Sequence, residues 1–312
     1  MVRRIAFALI LILLTGCSPA EVVEPTATLA PTNTPEPPTA TPIPTDTPTP
    51  TPTPLPGREV VDIQTLEDSI PWVSFDTGNY YFATYYVFNV QKPPFNDPLV
   101  RKAFIAALDR EALFLFNNQY LDNHPNRDTF KMIFSVTPPE DLGRDLGSDF
   151  GIPFDPHQAR QYFNEAGYSN PELFPPVTFM VPYTGVDKPG GNYLLTAREA
   201  AAMWEEHLGI TVKVVDYNDY YNNLDEEAEN IFYLRWYADF NDPHYSLSDM
   251  FHSNAKWNSG GYSNSTFDSL VDQAERDPSN PESRQLLYLQ AERILIEEDA
   301  VVIPLWYYTT LR

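Results

Sequence analysis

The chain has 312 residues and is strongly acidic, with 43 Asp and Glu against 20 Lys and Arg and a formal net charge of -23 at pH 7. This excess argues against a nucleic-acid partner and against adhesion of the protein surface to anionic lipid. The single cysteine excludes a framework of intramolecular disulfides.

Residues 1–16 have the order of a secretory signal, with Arg3 and Arg4 followed by an apolar run over 5–14 and small residues before Cys17. A ten-residue helix rises about 15 Å, half of a bilayer core of about 30 Å, so this run is too short to span a membrane. The sequence Leu-Thr-Gly-Cys that ends at Cys17 resembles the lipobox of bacterial lipoproteins, in which the thiol is alkylated by a diacylglyceryl group and the chain is cut before the cysteine. We therefore expect cleavage before Cys17 and an extracytoplasmic protein held to the cell membrane by lipid on that residue. The alternative is an ordinary signal peptide with an incidental cysteine.

Residues 25–56 consist mostly of Thr, Pro and Ala, a composition that buries no core and favours extended polyproline II. At about 3.1 Å per residue, such a stretch extends up to about 100 Å. We predict that residues 17–57 form a lipidated, disordered stalk. A glycosylated, mucin-like segment is the alternative.

The remaining residues, 58–312, suffice for one large domain or two lobes. The first helix is predicted to begin at Pro98, with Asp97 as its cap. Its apolar positions recur at three- and four-residue spacing: Leu99, Val100, Ala103, Phe104, Ala107 and Leu108. A second helix is predicted to follow Asp155 and Pro156 and to end at Gly167, with Ala159, Phe163 and Ala166 on one side.

The next segments predict a strand, a helix and a strand. The apolar run at 177–181 predicts a buried strand, 196–199 has the form of a capping box for a helix over 200–208 closed by Gly209, and 211–215 predicts a second strand. A right-handed crossover with parallel pairing is the usual outcome for such a unit.

Four further elements complete the chain. We predict a third strand at 231–236, a capped helix that opens at 265–268, a long helix over 281–298, and a closing strand at 301–305. The apolar set of the long helix is predicted to be Leu286, Leu287, Ile294 and Leu295. The alternation of strands and helices predicts an α/β domain.

Four stretches in order carry a resemblance to one family. They are Tyr-Val-Phe-Asn at 86–89 with Pro-Pro-Phe-Asn-Asp-Pro-Leu-Val-Arg-Lys-Ala at 93–103 and Ala-Leu-Asp-Arg at 107–110; Glu-Ala-Gly-Tyr within 159–168; Leu-Gly-Ile-Thr-Val at 208–212; and Trp-Tyr-Ala-Asp-Phe-Asn-Asp-Pro at 236–243 with Tyr-Ser-Asn at 262–264 and Phe-Asp at 267–268. Over about residues 80–305 the chain resembles the extracytoplasmic substrate-binding proteins of peptide and nickel ABC transporters, solute-binding family 5.

The resemblance implies a periplasmic-binding-protein-like lobe with a mixed sheet flanked by helices, the opposing lobe being largely missing from 58–312. It implies a peptide or other small solute, ABC permease subunits as partners, and a second chain as a candidate source of the missing lobe. The alternatives are a reused or decayed single-lobe surface module without a transport function and, more weakly, a secreted hydrolase.

The fourth stretch is the predicted ligand site. A carboxylate that pairs with a desolvated ammonium forms a charge-assisted hydrogen bond, and an adjacent indole adds about 0.5–2 kcal/mol of cation–π attraction. The resemblance implies that Asp239 binds the α-amino group of a peptide, with Trp236, Tyr237 and Phe240 around it. In the alternative interpretation, the aromatic residues belong to the hydrophobic core and Asp239 is a turn residue. For Asp242, which precedes Pro243, we favour a turn.

Metal binding and catalysis receive less support. Asp239, Asp242, His244, Asp249 and His252 lie close in sequence but fit no tight metal-site spacing, so we predict no metal and no cofactor. The sequence has no Gly-x-Ser-x-Gly, His-Glu-x-x-His or phosphate-loop motif. We therefore predict that the chain is not an enzyme.

Overall fold

The computed structural model describes residues 79–119, 121, 129–142, 144–183, 193–221, 224, 228–237, 242–276 and 279–311. The predicted signal, Cys17 and the stalk lie outside the described residues, as do Asp239 and Phe240. Of the helices in the described part, none is both long and apolar enough to cross a membrane.

A mixed six-stranded sheet forms the centre of the described structure. Its strands are β1 (Asn79–Phe88), β2 (Lys131–Met132), β3 (Val177–Pro182), β4 (Val212–Tyr217), β5 (Ile231–Tyr237) and β6 (Val302–Leu311). Their order across the sheet is β2-β6-β1-β5-β3-β4. β3 pairs in parallel with β4 and β5, whereas β1 pairs antiparallel with β5 and β6. This arrangement confirms the predicted α/β class with a mixed sheet.

Helices cover both faces of this sheet. They are α1 (Pro98–Ala106), α2 (Arg110–Asn118), α3 (Pro139–Leu142), α4 (Pro156–Glu165), α5 (Tyr193–Leu208), α6 (Pro243–Phe251), α7 (Ser265–Arg276) and α8 (Pro281–Arg293), the last continuing into a π-helical turn, Ile294–Glu298. α1, α4 and α5 pack together, and α6, α7 and α8 form a second group.

The caps of α1 and α4 are confirmed. Asp97 Oδ1 accepts the backbone N–H of Leu99 at 2.8 Å, and Asp155 Oδ1 accepts those of His157 and Gln158 at 2.9 and 3.0 Å. These contacts satisfy N–H groups that the first helical turn leaves without partners.

The strand–helix–strand unit is confirmed, but the predicted start of its helix is wrong. α5 begins at Tyr193, so Thr196 lies within the helix instead of capping it. Thr196 is buried, and its hydroxyl donates to Asn117 Oδ1 on α2 at 3.4 Å. A tertiary contact therefore uses the hydroxyl that the sequence pattern assigned to a cap. The helix does end before Gly209, whose φ of +72° suits the left-handed position after a helix.

Aromatic side chains hold α1 and α5 against the sheet. The buried indole of Trp204 lies 5.2 Å from Phe104 and 5.9 Å from Phe179 between ring centroids, and its N–H donates to the Phe104 carbonyl at 2.8 Å. Tyr86 of β1 meets Phe179 edge-on at 4.7 Å. The core thus extends from β1 and β3 into α1 and α5.

The predicted apolar set of the last long helix is partly wrong. Leu286 is 58% exposed, whereas α8 buries Arg284, Tyr288, Ala291 and Glu292. The buried positions follow the helical period, but two of them carry charged side chains. A pattern based on apolar residues alone therefore selected the wrong face of the first turns.

Candidate functional site

The last two residues of β5 point to opposite faces of the sheet. In the antiparallel pairing with β1, Trp236 is opposite Ala83 and Tyr237 is opposite Phe82. Consecutive strand residues alternate between faces, so Trp236 and Tyr237 do not form one wall. The structure therefore offers two surfaces at the end of β5, and Asp239, two residues further along the sequence, lies outside the described residues.

Trp236 belongs to a tryptophan cluster with Tyr245 and Trp257. Its ring centroid lies 5.6 Å from that of Tyr245 and 6.5 Å from that of Trp257. The buried indole N–H of Trp236 has no acceptor among the described residues. Beside Trp257 lies an open cleft of about 340 Å³. The other residues that line this cleft are Ser248, Asp249, His252, Asn254, Ala255 and Lys256.

Tyr237 ends an aromatic row on the other face, formed by Phe130, Tyr308, Phe82 and Tyr237. Neighbouring ring centroids in that order are 4.5, 5.1 and 5.8 Å apart, and the first two pairs are stacked. The row runs from Phe130, directly before β2, across β6 and β1 to β5. Tyr237 is 51% exposed, and the other three rings are partly buried. The row presents apolar rings, with phenol groups on two of its members.

Arg235 lies on the same face as Tyr237. Its guanidinium is 5.4 Å from the centroid of the Phe82 ring, and one N–H donates to the Tyr193 hydroxyl at 2.9 Å. Tyr193, the first residue of α5, packs on Tyr233 with ring centroids 4.4 Å apart. Sequence analysis missed Arg235, since its position in the chain does not show which groups surround it.

The segment after β5 is fixed again at Asp242. Asp242 Oδ1 accepts the backbone N–H of His244 at 2.8 Å and forms an ion pair with Arg284 at 2.7 Å. The side chains of Asp242 and Arg284 are both nearly buried. Arg284 also donates to the Ala274 carbonyl at 3.1 Å and lies 4.8 Å from the Tyr288 ring centroid. The predicted turn at Asp242-Pro243 is therefore the capped start of α6. These contacts hold the chain directly after residues 238–241.

The histidines near this site contact different carboxylates. His244 Nε2 lies 3.9 Å from Glu275, and His252 Nε2 lies 3.4 Å from Asp272. Within the described part of the chain, no group of three His, Cys, Asp or Glu residues could hold a metal ion.

Comparison with known proteins identifies the family. The family model described as bacterial extracellular solute-binding proteins, family 5 Middle, matches residues 52–258. The periplasmic oligopeptide-binding protein OppA of Escherichia coli K12 is 29% identical over 240 residues, which are 74% of this chain and 41% of OppA. The probable deoxycholate-binding periplasmic protein YgiS of the same organism is 28% identical over 237 residues, which are 73% of this chain and 40% of YgiS.

Solved structures show the same fold. The crystal structure of Haemophilus influenzae OppA in complex with RPPGFSPFR has a TM-score of 0.61 and 22% identity, and the match covers 80% of this chain and 46% of that one. This chain thus spans about two fifths of the length of the curated relatives and under half of that solved chain. The relatives are binding proteins, in agreement with the prediction that the chain is not an enzyme. Since the family model matches more than half of the sequence, the protein belongs to the family 5 bacterial extracellular solute-binding proteins.

Proposed function

We propose that the protein is an extracytoplasmic, lipid-anchored solute-binding component of an ABC transporter and that its solutes are peptides. The observation that carries this proposal is the end of β5, where aromatic surfaces on both faces of the sheet flank the motif at 236–243. Oligopeptide-binding relatives support peptides as the solute class.

In this proposal Asp239 binds the α-amino group of the peptide. The strand before it is fixed by pairing with β1, and the helix after it is fixed by the contacts of Asp242. A carboxylate on a short segment whose two ends are fixed loses less conformational entropy when the ligand binds, and this favours affinity. Trp236 and Tyr237, which precede Asp239 in the sequence, offer it aromatic surface on one or the other face of the sheet, and we propose that Phe240 contributes as well.

Lipid on Cys17 places the binding domain outside the membrane at the end of the stalk, within reach of permease subunits. A second surface, contributed by another chain, would cover the solute from the side opposite the described lobe. The intact mass of the protein purified from membranes tests the anchor. A mature chain that begins at Cys17 without an added diacylglyceryl group would contradict it.

Calorimetric titration with tri-alanine and N-acetyl-tri-alanine tests the role of Asp239. A hydrogen bond to a charged group contributes about 1.5–3 kcal/mol, so Asp239→Asn should weaken binding of tri-alanine about 10- to 150-fold. Binding of the acetylated peptide, which has no ammonium, should change little. Asp216→Asn on β4, where the side chain is exposed, is the matched control. Equal losses for both peptides in the Asp239 variant would contradict the assignment.

A further inference from the structure

Arg235 is a half-buried cation on the same face of the sheet as Tyr237. Among the described residues, no carboxylate lies within ion-pair distance of its guanidinium, and Tyr193 is the one side chain that accepts a hydrogen bond from it. The three buried arginines in the described part of the chain bond within the protein: Arg284 pairs with Asp242, Arg101 donates to two carbonyls, and Arg110 donates to the Pro304 carbonyl. Arg235 is only half-buried, so it, unlike those three, is partly accessible to a ligand.

The guanidinium of Arg235 is also held in place. Its central carbon lies over the Phe82 ring, and its hydrogen bond to Tyr193 connects it to the start of α5. A guanidinium has five N–H donors in a planar fork that matches a carboxylate, and one donation to Tyr193 leaves the others for a ligand. An arginine that is oriented before binding loses less conformational entropy on binding.

The surroundings of Arg235 favour an anion attached to a flat apolar group. The Phe82 ring of the aromatic row lies beside it, and Tyr237 projects from the same face of β5. Burial raises the pKa of Tyr308, so that hydroxyl stays protonated and able to donate at neutral pH. The face thus combines one cation, phenol donors and stacked rings.

We propose that Arg235 binds a carboxylate of the solute and that the aromatic row carries the apolar part next to that carboxylate. This inference rests on the proposed solute-binding function and adds the chemical class that this face selects. The carboxylate has two sources in a peptide, the C-terminus and an acidic side chain.

Nuclear magnetic resonance of the arginine side chains tests the inference on the full chain. Titration with benzoate should shift the Arg235 Nε–H resonance in a saturable manner, whereas benzamide, of nearly the same shape but neutral, should not. Arg235→Gln should lower the benzoate affinity at least about tenfold, since a charge-assisted contact is lost. Arg276→Gln, which removes an exposed arginine on α7, should leave it unchanged. Absence of an Arg235 shift with benzoate, or equal shifts with both compounds, would overturn the inference even if the Gln variant did not fold.

A peptide series separates the two sources and separates this inference from the role of Asp239. If the C-terminus binds Arg235, tri-alanine should bind wild type at least about tenfold more tightly than its C-terminal amide. If an acidic side chain binds Arg235 instead, wild type should bind Ala-Glu-Ala amide more tightly than tri-alanine amide. In Arg235→Gln either difference should disappear, while the preference for a free amino terminus persists. If the difference seen in wild type survives in Arg235→Gln, or if wild type shows neither difference, the inference fails and the proposed function stands. If the preference for a free amino terminus is absent from wild type, the proposed function fails.

Discussion

Glu292 of α8 is a fully buried carboxylate that clamps a separate segment of the chain. Its two oxygens accept the backbone N–H groups of Val136 and Thr137, each at 2.8 Å, and the hydroxyl of Tyr85 donates to the Val136 carbonyl beside them. Burial raises the pKa of Glu292 from 4.5 to about 7, against the lowering effect of the backbone hydrogen bonds. The carboxyl group of Asp141 is also near Tyr85. The clamp therefore titrates close to neutral pH.

This pKa shift predicts how stability depends on pH. The folded state holds the Glu292 proton more tightly than the unfolded state does. This binding stabilises the fold fully below about pH 4.5, and the stabilisation is lost as pH rises through about 7. The total loss in the free energy of unfolding is about 3 kcal/mol. Glu292→Gln, which cannot ionise, should remove that part of the pH dependence from the free energy of unfolding in urea. Glu282→Gln, at an exposed position of the same helix, should keep it. Identical pH profiles for wild type and Glu292→Gln would refute the shift.

Single residues of the site show how far sequence reasoning reaches. The motif at 236–243 indicated where the chain presents aromatic residues, but strand alternation separates Trp236 from Tyr237. That separation follows from strand alternation once residue 237 is placed in the strand, which was predicted to end at 236. The groups around Arg235 depend on which strands pair and on what lies across the sheet, so local spacing could not predict them. The ligand-binding role of the motif stays a prediction.

At the scale of elements, helices and strands with local signals were predictable. The caps at Asp97 and Asp155 are formed by residues within a few positions of each other, and β3 and β4 carry short apolar runs bounded by turns. The errors arise where tertiary contacts override the local pattern. Thr196 bonds to α2 instead of capping its own helix, and α8 buries Arg284 and Glu292 because distant groups satisfy both.

The ion pair between Asp242 and Arg284 joins the start of α6 to α8 at the end of the motif at 236–243. Removal of one partner of a nearly buried pair leaves the other uncompensated, so Arg284→Met should lower the free energy of unfolding by about 3–5 kcal/mol. With Asp242→Asn added, the double variant should lose less than the sum of the two single losses, as measured by chemical denaturation. Arg276→Met removes an exposed pair with Asp272 and should cost about 0–1 kcal/mol. Additive losses at Asp242 and Arg284 would show that the two side chains do not stabilise each other.

At the scale of the molecule, one sheet presents two chemically different surfaces at the end of β5. The aromatic row and Arg235 lie on one face, and the tryptophan cluster with its adjoining cleft lies on the other. The chain matches about two fifths of the length of its curated relatives, and the match includes this sheet end. The proposed recognition of peptides therefore depends on a small and specific part of the described structure.

Hydrogen–deuterium exchange with and without a saturating mixture of short peptides tests the central claim most directly, because it reports both binding and its location. We predict slower exchange in the second half of β5 and at the start of α6, with no change in α4 or in the edge strand β4, which pairs with β3 and not with β5. Unchanged exchange throughout the chain, or protection confined to α4 and β4, would contradict peptide binding at the end of β5.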